Sequence, residues 1–367
     1  MIVNENVLKN DERVALPLRE LYRAFGYTQY KMSKFEEYDL YARNKDFLVS
    51  DNVITFTDTN GKLMALKPDV TLSIVKNSKD EGGVHKVYYD ENVYRISGSS
   101  RAYREIMQTG LECIGDIDDY AITEVLMLAE KSLALISADY VLDVSHLDIV
   151  SAVLDDMKVD EATRAALLAA VGEKNLPAIK SLAPDAALLS RLVSLQGDPE
   201  KVLPELAALP LNNKARAAAN RLSATVSALK SCGCGDRVRI DFSVINDMSY
   251  YNGIVFKGFV NGVPAGVLSG GQYDRLMRKM GRKAGAIGFA VYLDLLERLI
   301  ERRGDFDVDT VLLYGENVDL GAMTRAVCDM IARGESVIAC KAVPQELRYR
   351  RLAQWKESGV EILENNA

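Results

Sequence analysis

A change of texture in mid-chain limits the possible folds more than any other feature. Residues from about 147 to 230 are rich in Ala and Leu and poor in aromatics, and prolines break them at Pro177, Pro184, Pro199, Pro204 and Pro210. Short helices with brief connections suit that composition, because proline opens a helix readily and interrupts its interior. Segments of β character lie on both sides. A sheet in this chain must therefore gather strands from before and after a helical module, and the pattern predicts an α+β core built on an antiparallel sheet.

Ahead of the module, Leu18, Leu21, Tyr22 and Phe25 recur at helical spacing, with Gly26 as the stop signal. Val53–Thr57 and Leu63–Leu66 flank the turn Thr59-Asn60-Gly61-Lys62 and read as a hairpin. Pro68 opens a helix running through Ile74. Val84–Ile96 contains a long strand, Gly110–Ile114 a shorter one, and Asp118 caps a helix whose Ala121, Val125, Leu128 and Ala129 share a face. After the module, Val238–Phe242 and Ile254–Phe256 read as strands. Asn261-Gly262 predicts a hairpin from the second of these into Val263–Leu268. One helix is expected after Gly270-Gly271 and another over about Phe289–Arg302. The core is thus assigned to 1–304. A second α/β domain is assigned to 305–367, with strands Thr310–Tyr314, Ser336–Cys340 and Val360–Leu363, helices Leu320–Arg333 and Pro344–Ser358, and a small parallel sheet.

Composition excludes several functions. The 367 residues carry 45 Lys+Arg against 52 Asp+Glu, a net charge of -7, which does not advertise a phosphate-binding surface. The N-terminus lacks the basic-then-apolar order of a signal peptide, and no run of about 18 apolar residues predicts a membrane span. Five scattered cysteines suit a reduced cytoplasm. Cys232-Gly233-Cys234 reads as free thiols, since no second pair completes a zinc site, and no metal or cofactor is expected. With two histidines, His85 and His146, and no phosphate-binding loop, nucleophilic or nucleotide chemistry has little to work with. His146, between a strand and a helix, reads as a structural contact.

Polar residues embedded in the core strands are more informative. Lys67-Pro68-Asp69-Val70-Thr71 puts a carboxyl and a hydroxyl where a strand gives way to a helix. Tyr94-Arg95 ends a long strand before the loop Ser97-Gly98-Ser99-Ser100. Gln108, Gly110 and Glu112 share one strand face, the glycine leaving space between two polar groups.

These segments, together with Ala102-Tyr103-Arg104-Glu105-Ile106-Met107, Tyr250-Tyr251-Asn252, Gly270-Gly271-Gln272-Tyr273-Asp274 and Gly288-Phe289-Ala290, resemble histidyl-tRNA synthetase, a class II aminoacyl-tRNA synthetase fold. The resemblance spans about residues 5 to 303. It implies a histidine-binding set of Asp69, Thr71, Arg95, Gln108, Glu112, Tyr250 and Tyr251. Carboxylates would take the α-ammonium and Arg95 the carboxylate, while Glu112 and the Tyr251 hydroxyl would satisfy the imidazole nitrogens. The ATP half departs from the family. Ser97 replaces an acid, Ile106 the adenine-stacking aromatic, and Asn246 and Leu295 two arginines, while Gln272 replaces a third arginine and could face solvent. Lys67, an arginine in the family, reads as a surface charge. Loss of positioned cations of this kind removes most transition-state stabilisation.

The segment from Asp305 looks like the start of an anticodon-binding domain that stops early, with eleven acidic and seven basic residues, so no tRNA contact is expected. Chains that keep histidine recognition and lose adenylation resemble the regulatory subunit of ATP phosphoribosyltransferase. That resemblance implies a non-catalytic homodimer within a hetero-oligomer. Its partner would be the short-form catalytic subunit, and L-histidine the feedback ligand, at the first step of histidine biosynthesis. The alternative is a divergent histidyl-tRNA synthetase, from which Asn246 and Leu295 discriminate.

Overall fold

A computed structural model describes residues 8–45, 48, 53–78, 82–96, 102–245, 248, 250–296 and 306–366. The chain separates into two compact units, Met1–Leu299 and Ile300–Ala367.

The first unit opens with helix α1 (Asn10–Ala24), closed by Gly26 at φ 83°, a left-handed conformation in which a Cβ would be strained. Then come β1 (Thr28–Gln29), β2 (Phe35–Glu37), α2 (Tyr38–Ala42), β3 (Thr55–Thr57), β4 (Leu63–Leu66) and α3 (Thr71–Asn77). Strands β5 (Val84–Ile96) and β6 (Tyr103–Gly115) pair antiparallel over their whole length. Helix α4 (Asp119–Ile136) begins at Asp118, whose carboxylate accepts the Ala121 amide at 2.8 Å, and β7 (Tyr140–His146) follows. The Ala/Leu-rich stretch forms α5 (Leu147–Met157), α6 (Glu161–Gly172), α7 (Leu176–Leu182), α8 (Ala187–Ser194), the short β8 (Gln196–Gly197), α9 (Pro199–Ala207) and α10 (Asn213–Ser231). Strands β9 (Val238–Asp241), β10 (Asn252–Val260) and β11 (Leu268–Gln272), helix α11 (Asp274–Lys279) and strand β12 (Gly285–Tyr292) complete the unit.

The main sheet runs β1-β5-β6-β12-β11-β10-β7-β9-β8. Its centre is antiparallel, but β1 joins β5 and β9 joins β7 in parallel, so the expected antiparallel sheet is mixed towards its edges. Cross-strand partners share a face. The register row Leu111, Phe289, Gly270, Phe256 and Val144 lies under α1 and α4, where the Tyr22 ring meets Phe289 edge-on at 6.0 Å. The neighbouring row of Glu112, Gly288, Gly271, Val255 and Ser145 points to the opposite face.

In the second unit, β13 (Val308–Leu313), α12 (Leu320–Ala332), β14 (Val337–Cys340), β15 (Tyr349–Lys356) and β16 (Gly359–Asn365) give a four-stranded sheet in the order β14-β13-β15-β16. The expected helix over Pro344–Ser358 is replaced by β15. That strand lies parallel to β13 and antiparallel to β16, so the sheet is mixed rather than parallel. Pairing on both sides, with Leu352 and Ala353 buried, overrides a composition that also suits a helix.

Other expectations change for similar reasons. Strand β6 begins at Tyr103, not Gly110, because β5 pairs with all of it. The helix expected over Phe289–Arg302 is strand as far as Tyr292, held between β6 and β11, then a 3-10 turn at Leu293–Leu296, and 297–302 lie outside the described residues. After Asn261-Gly262 the returning strand starts only at Leu268. Lys67 is fully buried rather than superficial, paired with Glu91 at 2.5 Å, and burial lowers its pKa.

Gln272 is 5% exposed and does not face solvent. Its side-chain oxygen accepts the Ile254 amide at 3.1 Å, where the β10–β11 register shifts, and it fills the space a Cβ on Gly253 (φ 62°) would need. An arginine there has no acceptor to offer. Gln272→Ala leaves that buried N–H unpaired, and the expected loss is about 1–3 kcal/mol in urea denaturation. An unchanged midpoint would show that the amide bond contributes nothing.

Candidate functional site

A cavity of about 380 Å³ opens on the sheet face that carries Glu112. All seven residues singled out above line it: Asp69, Thr71, Arg95, Gln108, Glu112, Tyr250 and Tyr251. They come from the start of α3, the end of β5, the middle of β6 and the turn before β10.

Glu112 is 2% exposed, near the centre of the group. Thr71 donates its hydroxyl to Oε1 at 2.7 Å and Tyr273 donates to Oε2 at 2.6 Å. Burial pushes the Glu112 carboxyl up to about 8, against the pull of those two hydrogen bonds and with a further push from the Asp69 charge. Gly288, opposite Glu112 on β12, makes room for it: a Cβ there would stand 1.8 Å from Oε2. Thr71 is thus committed to orienting the carboxyl.

Asp69 is partly buried, and its Oδ1 accepts the Leu72 amide at 2.9 Å in the first turn of α3. Burial raises its pKa, while the Leu72 amide and Arg95 act in the other direction. The Arg95 Nε donates to the Pro68 carbonyl at 3.0 Å, fixing the guanidinium beside Asp69. Gln108 is buried and its Nε2 has no partner, so a donor is available to whatever fills the cavity. Tyr250 packs against Tyr251 and Tyr273, with ring centroids 4.5 and 5.7 Å away.

Gly110 does not leave open space between Gln108 and Glu112. A Cβ there would meet the Phe289 carbonyl at 2.3 Å and the Tyr89 hydroxyl at 2.6 Å, so Tyr89, its partner on β5, already occupies that room. Tyr89, Tyr273 and Tyr292 are lining residues the sequence reading did not assign to the site. Gly110 was the available signal for Tyr89, since a strand glycine marks a close approach.

Asn246 and Ser97, two of the family departures, lie outside the described residues. Arg104 pairs with Asp294 at 3.6 Å, Ile106 packs against the apolar core, and Leu295 sits half-buried in the 3-10 turn. His146 is buried with neither ring nitrogen paired, and burial lowers its pKa to about 4. Among the described residues no group of three or more His, Cys, Asp or Glu could hold a metal, and no helix is long and apolar enough to cross a membrane.

A row of strand polar groups facing a cavity, on a mixed sheet interrupted by a helical module, is the architecture of the class II synthetase core. The sequence pattern of histidyl-tRNA synthetase matches residues 3–296, and the chain belongs to that family. It is 27% identical over 315 residues to an ATP phosphoribosyltransferase regulatory subunit from Clostridium kluyveri, covering 81% of this chain and 80% of that one. A solved ATP phosphoribosyltransferase regulatory subunit/histidyl-tRNA synthetase from Bacillus halodurans superposes with a TM-score of 0.74 at 27% identity, over 90% of this chain and 88% of the other. Histidyl-tRNA synthetase from Nostoc shares the fold, with a TM-score of 0.71 at 15% identity over 96% and 91% of the two chains.

The raised Glu112 pKa has a direct consequence for stability. Between the ordinary value of 4.5 and about 8, the folded chain holds this proton more tightly than the unfolded chain, so its contribution to stability falls as pH rises through that window. Glu112→Gln removes this penalty. The variant's melting temperature is expected to gain on the parent's from pH 5 to 8 and level off above, the gain corresponding to at most about 1.4 kcal/mol per pH unit. A difference that stays flat from pH 5 to 9 would show that the carboxyl titrates normally.

Proposed function

We propose that this chain is a non-catalytic regulatory subunit of ATP phosphoribosyltransferase, acting in the cytoplasm at the first step of histidine biosynthesis. In this reading it activates a short-form catalytic subunit and transmits feedback inhibition by L-histidine bound in the cavity on the main sheet. One observation carries the reading. The cavity gathers two carboxyls, one guanidinium, an orphaned amide donor and several tyrosine hydroxyls, the groups an amino acid needs. Meanwhile Arg104, which stands where the family contacts nucleotide, is engaged with Asp294. The regulatory-subunit relatives support the same role.

Arg95 would receive the ligand carboxylate and Asp69 the ammonium. Glu112 and Tyr251 would bracket the imidazole, with Gln108 supplying a further donor. Burial raises the Glu112 pKa, and a cationic imidazolium beside it would favour the ionised carboxylate. Feedback is then a coupling free energy between histidine bound here and turnover in the partner. The second unit, with its acidic surplus, is read as having no tRNA role, and the chain as a homodimer within the hetero-oligomer.

Reconstitution with a short-form catalytic subunit tests the proposal. Turnover should rise on adding the chain and fall again with histidine, and no change in turnover would defeat it. Histidine should raise the melting temperature of the chain while ATP does not. Tyr251→Phe and Glu112→Gln should each weaken histidine by roughly 5- to 30-fold, the effect of one buried hydrogen bond to a polar ligand. Robust histidine-dependent exchange of pyrophosphate into ATP would instead favour a divergent synthetase.

A further inference from the structure

The second unit holds its own cavity, about 290 Å³, between α12 and the sheet. Thr310 on β13 and Arg351 on β15 are register partners, so they stand side by side on one face of the sheet. Thr310 is 3% exposed and its hydroxyl has no partner, and the Nε of Arg351 is likewise buried without one. Arg351 is tied through Nη2 to Glu335, and Arg333 at the end of α12 places its Nε 3.5 Å from the other Glu335 oxygen. Asp329, one turn before Arg333, also lines the cavity, and the rest of the wall is apolar, including the buried Met330 and the more exposed Ile362.

Buried donors and hydroxyls without partners are uncommon, and two on one cavity wall call for an explanation. The charges around this cavity balance, with two guanidiniums and two carboxyls. Glu335 already bridges both arginines, so the buried Arg351 Nε and the Thr310 hydroxyl are the groups a carboxylate would meet and Asp329 the group an ammonium would meet; a zwitterion engages both, a simple anion or cation only one. The volume lies at the lower end for ligand pockets, too small for a nucleotide with its phosphates. We propose that this cavity binds a free α-amino acid with an apolar side chain. Its carboxylate sits on Arg351 and Thr310, its ammonium on Asp329, and its side chain against Met330 and Ile362. The site belongs to the second unit alone and does not rest on the reading of the first.

The test uses the full chain with its methionine methyl groups labelled with carbon-13, the Met330 signal being assigned through Met330→Leu. L-Leucine is the probe, and 4-methylpentanoate and isoamylamine are the same skeleton without the ammonium or without the carboxylate. Leucine is expected to move the Met330 signal saturably, and each half-ligand to bind at least about tenfold more weakly. Arg351→Leu and the isosteric Thr310→Val should weaken leucine by about tenfold and several-fold respectively, with melting curves confirming that both are folded. Three results would overturn the proposal: no saturable shift with any of the twenty L-amino acids, 4-methylpentanoate binding as tightly as leucine, or folded Arg351→Leu and Thr310→Val variants that bind leucine unchanged. Because Met330 reports only on the second unit, a negative result leaves the histidine cavity untouched.

Discussion

The first unit is organised around one almost fully buried carboxyl. Glu112 lies on β6 in the interior, and two hydroxyls stand in for its hydration: Thr71 from the start of α3 and Tyr273 from the residue before α11. Those groups come from three distant parts of the chain, so the site exists only if all three elements are in place. Two good hydrogen bonds do not restore an ordinary acidity, because burial outweighs them. Burial thus favours the protonated form of this carboxyl.

The glycines of this face serve that carboxyl and its aromatic neighbours. Gly288 lets Glu112 lie across β12, and Gly271 does the same for the Tyr251 ring, which a Cβ would approach to 2.9 Å. Gly110 admits Tyr89. Each glycine gives up strand propensity so that a larger neighbouring side chain can lie across the sheet surface. The result is a floor paved by tyrosines and one acid.

Much of this was legible in the sequence, in a specific way. Period-two alternation places Gln108 and Glu112 on one face, and Pro68 places Asp69 and Thr71 at a helix start, so the positions of those side chains follow from local rules. Tyr89 and Tyr292 enter the site through the register of β5, β6 and β12, and Tyr273 through the pairing of its amide, just after β11, with the Ala286 carbonyl of β12; long-range pairing decides both. Lys67 and Gln272 escape local rules for a related reason: each is polar, yet each meets a partner contributed by another strand, the half-buried Glu91 in one case and the buried Ile254 amide in the other. The segment that became β15 shows the same limit in the second unit, where two neighbouring strands outvote local preference.

The pairing of β6 with β12 also shapes how the protein is made. Gly115 meets Gly285, a residue 170 positions later, with the whole helical module in between. At ordinary ribosomal speeds of about 5–20 residues per second, β6 waits roughly 10–35 s as an open strand edge before its neighbour emerges. A nascent chain in that condition is a natural client for chaperones.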